Sequence, residues 1–243
     1  MPYIVTGGTM KTETIILDRC IKWIKEHQSD THKKLPSENE LADKLKVPRN
    51  VVRKAYEWLD LLGYTYSQQG KGRFIRARKK KINLVLSGVE SFSEKIRGLG
   101  HHLDTQIITS KKIRFNEYIY NILQLPETAI VYKISRLRIV DGEPMAIHTS
   151  YLPVELFPNI VQDSARIDSL FAYHAANGYV NLRSNPGVLY TDYPTAKERK
   201  YLKCRNLVPL LVLESNCTDM DTNKVLEYTQ IKYRSDCFDY IIG

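Results

Sequence analysis

A chain of 243 residues is long enough for two compact domains, each with a core of its own. No stretch approaches the ~20 apolar residues of a membrane span, and Cys20, Cys204, Cys217 and Cys237 form no Cys-x-x-Cys pair or disulfide framework, so a reducing, cytoplasmic setting with no metal or other cofactor is expected. The net charge of +9 is confined to the first third: residues 1–81 carry 18 basic and 9 acidic side chains, whereas residues 82–243 carry 18 of each. A basic block beside a neutral one suits a nucleic-acid partner, because neutralising phosphates releases condensed counterions. A solvated basic face, or one resting on anionic lipid, fits the charge alone equally well.

Residues 1–9 read as a loose leader ahead of Met10. Over residues 14–27 the apolar positions Ile16, Leu17, Cys20, Ile21, Trp23 and Ile24 recur near helical spacing and predict a first helix. After a polar linker, Pro36 disfavours helix at Leu35, and Ser37 with Glu40 forms an S-x-x-E capping box for a second helix buried through Leu41, Ala42 and Leu45. Lys46 and Val47 make a turn, and Pro48 suits the first turn of a third helix, where its missing amide hydrogen costs little. Val51, Val52, Ala55, Trp58, Leu59 and Leu62 are expected on its buried face, Arg49, Asn50, Arg53, Lys54 and Glu57 outward, and Gly63 at its end. Arginine pairs with two guanine acceptors and asparagine with adenine, so Arg49, Asn50 and Arg53 are equipped to read base edges, although they would serve equally as phosphate contacts. Residues 64–67 and 73–76 alternate as strands around Gln68-Gln69-Gly70-Lys71-Gly72, giving a hairpin with a small tip that can approach a sugar-phosphate backbone, with Lys71 or Arg73 supplying charge.

The Leu35-Pro36-Ser37-Glu38 block, the Leu41-Ala42 pair, Val47-x-Arg49, Val52-Arg53 and the glycine hairpin together resemble the GntR family of bacterial transcription regulators, over about residues 16–75. The resemblance implies a winged helix-turn-helix with DNA contacts from Glu38, Asn39, Arg49, Asn50, Arg53, Gly70, Lys71, Gly72 and Arg73. This chain has Asn39 where relatives commonly carry Arg, Pro48 where they carry Ser, and Arg73 where they carry Thr, so no operator sequence carries over.

Beyond a basic linker, residues 77–83, the pattern changes to strands with occasional helices. Ser91-Phe92-Ser93-Glu94 reads as a helix start; its hydroxyls and free amides suit an anion, but by themselves they read first as an ordinary N-cap. Residues 132–140 and 145–151 are strands flanking the Asp141-Gly142 turn, and Tyr132, Ile134, Arg136, Arg138 and Val140 share one face. Two arginines on an apolar face need a partner, either an anionic ligand or an internal carboxylate such as Glu227. In residues 225–234 the side chains of Glu227, Thr229, Ile231 and Tyr233 also share a face, which reads as a ligand wall or as the polar face of an edge strand.

Ser91-Phe92-Ser93, Arg136-x-Arg138, Asp141-Gly142-Glu143-Pro144, Ser150-Tyr151-Leu152-Pro153, Asp168-Ser169-Leu170 and the strand after Glu227 resemble the UTRA effector domain of the HutC subgroup, over roughly residues 83–242. That implies an α+β chain: a winged helix-turn-helix at residues 10–76 and, at 84–243, a chorismate-lyase-like antiparallel sheet with flanking helices. By resemblance, Ser91, Phe92, Ser93, Arg136, Arg138, Ser169 and Tyr233 surround the phosphate of a sugar phosphate and Glu227 meets its hydroxyls. His148 stands where relatives often carry Glu. A two-residue turn at Asp141-Gly142 pairs Arg136 with Ile147, whereas a three-residue loop including Glu143 pairs it with His148; the resemblance favours the second. The expected protein is a homodimeric, effector-controlled repressor that binds a pseudo-palindromic operator. The rivals are an enzyme of lyase-like fold acting on a small anion, a constitutive DNA-binding protein, and the helical, metal-binding sensor of the fatty-acid-type GntR subgroup, which fits this strand-rich half poorly.

Overall fold

A computed structural model describes residues 11–27, 33–77, 81–85, 90–204 and 207–241. The expected leader, residues 1–9, lies outside the described residues, as does part of the basic linker. The described residues fall into two compact units, the first running up to residue 77 and the second beginning at residue 81.

In the first unit the helices α1 (Thr12–Glu26), α2 (Glu38–Leu45) and α3 (Arg49–Leu61) precede a hairpin of β1 (Thr65–Gln68) and β2 (Gly72–Ile75). Both arms of the capping box form: Glu40 N donates to Ser37 Oγ at 3.2 Å and Ser37 N to the Glu40 carboxylate at 2.7 Å. Lys46 closes α2 in the left-handed region, so the chain turns sharply into Pro48, the N-cap of α3. The buried stripe of α3 is Val52, Ala55, Tyr56 and Leu59, an i, i+3, i+4, i+7 set, with Ile16 and Ile24 of α1 and Leu35 in the same core. Trp58 and Leu62, expected inside, are 47% and 39% exposed. Trp58 lies about 60° round the helix beyond Ala55, at the margin of the stripe, and Leu62 is the C-cap just past the end of the helix; Tyr56 fills the interior because its hydroxyl finds a partner in the Pro36 carbonyl at 2.9 Å.

The second unit is built on one antiparallel sheet. In chain order it contains β3 (Ile82–Val85), α4 (Phe92–Gly98), β4 (Leu103–Lys112), α5 (Glu117–Leu123), β5 (Val131–Val140), β6 (Glu143–Pro153), α6 (Ile160–Asp163), α7 (Leu170–Ala176), β7 (Leu182–Ser184), β8 (Val188–Asp192), α8 (Ala196–Leu202), β9 (Leu210–Asp219), β10 (Val225–Arg234) and β11 (Phe238–Ile241). The strands run β4-β5-β6-β10-β9-β7 with β8 also on β9, and β11 pairs in parallel with β3. β3 begins at Ile82, two residues inside the stretch expected as linker, because Ile82 and Leu84 are buried with Phe238. Leu123 and Leu202 of α5 and α8 pack with Val131, Leu137 and Ile147 on one face of the sheet; α4, α6 and α7 pack on the other.

The β5–β6 hairpin pairs Arg136 with His148, but by a different route from a longer loop. Val140 pairs with Glu143, so the turn is the two-residue Asp141-Gly142, with φ of 49° and 77°, a conformation that suits glycine at the second position. A bulge between Arg138/Ala146 and Ile139/Pro144 then adds one residue to β6 and brings His148 to the face of Arg136.

Ser37→Ala removes a helix N-cap acceptor and is expected to lower the stability of the first unit by about 1 kcal/mol, read from chemical denaturation. A midpoint equal to that of the unaltered protein would show that the capping box contributes nothing.

Candidate functional site

The first unit presents Asn39, Arg49, Asn50, Arg53, Gly70, Lys71 and Gly72 at its exposed surface, while Glu38 is partly covered. Arg49 Nε meets Glu38 at 3.1 Å, and Arg53 Nε lies 3.8 Å from Glu57. Exposed pairs of this kind contribute little and exchange readily for phosphate contacts. Arg73 differs from its expected role: it lies 3.0 Å from Asp60, donates to Ser67 Oγ and stacks 4.8 Å from the Tyr56 ring centroid. Its guanidinium therefore fastens the hairpin to α3, leaving Lys71 as the cation at the tip. Lys34, not singled out from the sequence, forms a one-residue antiparallel bridge with Phe74 alongside the hairpin. Gly72 has φ of 115°, a backbone conformation that L side chains rarely adopt, so the backbone itself calls for glycine there, and the flexible Lys34 stem lies over it.

In the second unit a cavity of about 430 Å³ opens between the sheet and the segments leading into α4 and α7. Ser91, Phe92, Ser93, Arg136, His148, Ser169, Glu227 and Tyr233 all line it. So do Thr229 and Ile231, which places the whole predicted face of β10 on one wall. Arg138 stands behind that lining, 1% exposed, donating to Ser93 Oγ at 2.6 Å and to the Asp168 carbonyl at 2.8 Å. Arg136 donates to the same carbonyl at 2.9 Å, and its Nε is buried without a partner. The arginine partner is thus neither the ligand alone nor Glu227 alone. It includes a backbone oxygen just before α7, an element whose geometry has no sequence signature.

Burial depresses the basicity of both guanidiniums, Arg138 to about 10 with the Arg136 charge adding to the effect. Burial favours a protonated Asp168, but hydrogen bonds from Thr105 and Arg97 and the charge of Arg138 outweigh it and hold the carboxyl below its ordinary range. Burial likewise pushes Glu227 upward, and the hydrogen bond from His174 at 3.0 Å, with Arg136 nearby, more than reverses that. His174, on α7 and fully buried against Phe157, is the residue sequence reasoning missed. Its Nδ1 is buried without a partner. Held below the ordinary carboxylate range, Glu227 keeps its negative charge in the cavity. Burial, then Arg138 and Arg136, drives the His148 pKa well below its usual value. At the far end Ser184, Asn185, Ser215 and Asn216 add neutral polar groups.

The profile of the UTRA domain matches residues 98–239, and that of the gntR family of bacterial regulatory proteins matches residues 14–75. The chain belongs to the GntR family, in its UTRA-bearing branch. It is 25% identical over 226 residues to the HTH-type transcriptional repressor NagR of Bacillus subtilis, spanning 93% of this chain and 91% of NagR. To the regulator YurK of the same organism it is 32% identical over 173 residues, 70% of each chain. The crystal structure of PhnF from Mycobacterium smegmatis shares the fold, with a TM-score of 0.63 at 21% identity, covering 94% of this chain and 98% of PhnF. The family is one of DNA-binding transcriptional repressors and regulators rather than enzymes. Among the described residues no helix of this GntR-family chain is long and apolar enough to cross a membrane.

His174→Phe preserves the ring against Phe157 but removes the donor to Glu227. A carboxylate whose folded pKa lies below its unfolded value stabilises the fold above that unfolded value, a contribution lost as pH falls through the folded one. Without His174 the burial effect gains weight and the folded pKa rises, so the buried carboxylate costs stability near neutral pH and that cost is relieved as pH falls. Stability from chemical denaturation is therefore expected to drop near neutral pH and to decline less steeply on acidification than in the unaltered protein; an unchanged pH dependence would mean that His174 does not set the charge of Glu227.

Proposed function

We propose that this GntR-family regulator is a homodimeric repressor whose operator affinity is controlled by a small anionic effector, a sugar phosphate being the class that suits the cavity. The observation that carries the reading is Arg136: a buried cation on the cavity wall with an unpartnered Nε, beside the hydroxyl-bearing Ser91, Ser93 and Ser169. Arg97, Arg136 and Arg138 gather at Asp168, so positive charge exceeds negative at that end. An oxyanion restores the balance there through charge-assisted hydrogen bonds. Glu227, held ionised on the same face of the sheet, accepts from hydroxyl groups. A cavity of this size, about 430 Å³, also argues against a constitutive DNA-binding protein with a filled interior.

On the DNA side, α3 enters the major groove with Arg49, Asn50 and Arg53, Glu38 and Asn39 lie at its flank, and Lys71 at the wing tip contacts phosphate. Two such heads in a dimer match half-sites about one helical repeat apart, and an effector that favours one arrangement of the pair shifts operator affinity by its differential binding to the two states.

The test is a thermal-shift screen of sugar phosphates, followed by binding to an operator selected from random duplexes, with and without each hit. Arg136→Ala is expected to abolish the effector response while DNA binding persists, and Arg53→Ala to weaken DNA binding while the thermal shift persists. Loss of both properties in both variants would indicate misfolding, and an effector that binds without changing operator affinity would sink the mechanism. Lys71→Ala should flatten the plot of log affinity against log salt by about 0.9, the loss of one phosphate contact; an unchanged slope would remove Lys71 from the interface.

A further inference from the structure

His148 is a titratable side chain on the cavity wall that the anion and hydroxyl contacts proposed for Arg136 and Glu227 leave unused. It is 5% exposed, sits on β6 directly across from Arg136, and its Nε2 is buried with no hydrogen-bond partner. The ring lies edge-on to Phe92 of α4, with centroids 4.7 Å apart, and 5.8 Å from the Tyr233 ring of β10. The charged groups around it are Arg136 and Arg138 from β5, Glu227 from β10 and Asp168 from the segment before α7; Glu90 and Lys95 complete the charged lining on the α4 side. Burial, then the two guanidiniums nearest the ring, keeps it neutral, and a neutral imidazole has one bare nitrogen. A buried polar atom without a partner is costly, and this one borders the place where negative charge is missing.

A bound oxyanion changes both conditions together. Its charge offsets the field of Arg136 and Arg138, and its oxygens offer an acceptor to a second N–H. We propose that the anionic group of the effector is bound together with one proton, taken from solvent and held on the vacant nitrogen of His148, which then donates to that group. This rests on the assignment of an anion to the Arg136 end of the cavity. It makes His148 a specificity-determining residue: the site recognises an oxyanion through a fixed cation, Arg136, and a second cation that exists only in the complex. Anion affinity therefore falls as pH rises, by up to about tenfold per pH unit where one full proton is taken up.

Calorimetric titration of the full chain with inorganic phosphate and with sulfate, in two buffers of different ionisation enthalpy, tests this. Sulfate is the decisive probe because, unlike phosphate, it takes no proton itself near neutral pH. The expected result is uptake of about one proton per sulfate by the unaltered protein at a pH of about 7.5, lost in His148→Gln. In the unaltered protein labelled with nitrogen-15 at histidine, the ring nitrogens of His148 are expected to pass from the neutral to the imidazolium pattern when sulfate is added, a readout that does not depend on the variant folding. Sulfate binding without proton uptake, uptake that persists in His148→Gln, or ring signals that stay neutral would each overturn the proposal. Uptake with phosphate but not sulfate would place the proton on the ligand and overturn it as well. Failure of both anions to bind the unaltered protein would instead overturn the anion site itself, a result distinct from binding without a proton.

Discussion

Two guanidinium groups from one strand, Arg136 and Arg138, donate to a single backbone oxygen, the carbonyl of Asp168. Much of the second unit depends on this. Cations on the inner face of a sheet must be matched or the sheet cannot be buried, and the matching group here belongs to the segment that leads into α7. That fixes the start of α7, which places Ser169 at the cavity and, further along the helix, sets His174 against Glu227. One short helix therefore touches both ends of the site, the cationic end through its approach and the acidic end through its last turn. Any ligand that draws Arg136 away from the Asp168 carbonyl bears on the same element that holds Glu227.

The sheet supplies the other half of the arrangement. Alternation along β5, β6 and β10 puts Arg136, His148 and Glu227 on one face, while Tyr151, Tyr228 and Lys133 fall on the opposite one, where Tyr151 and Tyr228 stack and Lys133 lies over Tyr151. The bulge in the β5–β6 hairpin is what keeps His148 on the cavity side. Without that extra residue in β6 the tight Asp141-Gly142 turn would present Ile147 there, an apolar residue beside two cations.

Much of the molecule was legible because its signals are local. The capping boxes at Ser37 and Ser91, the proline that starts α3, and the glycine-tipped wing each depend on a few adjacent residues, so reading them needs no knowledge of tertiary contacts. The period-two face of β10 was equally plain. Trp58 was harder: it is as apolar as its neighbours, and only the packing of α3 in the core, with the Pro36 carbonyl to satisfy the Tyr56 hydroxyl, puts Tyr56 inside instead. Arg73 looked like a phosphate contact because it sits beside the wing, yet Asp60 lies thirteen residues earlier and captures it.

The sequence alone determined the order of elements in the first unit, the separation of a basic block from a neutral one, and the strand faces that carry Arg136 and Arg138, and Glu227 and Tyr233; the resemblance to the UTRA domain added Ser91, Phe92, Ser93, His148 and Ser169. The strand faces and the charge division are properties of composition and period, which each residue expresses where it stands in the chain. Tertiary structure decided which charges are already spent. It turned Arg73 and Arg138 into internal fasteners, left Arg136 with an unpartnered nitrogen, paired Glu227 with a histidine fifty-three residues away, and left His148 neutral with a bare nitrogen. The reason is that the state of a buried ionisable group is set by everything packed around it, and in this fold those neighbours come from β5, β6, β10 and the approaches to α4 and α7, segments that no local pattern brings together.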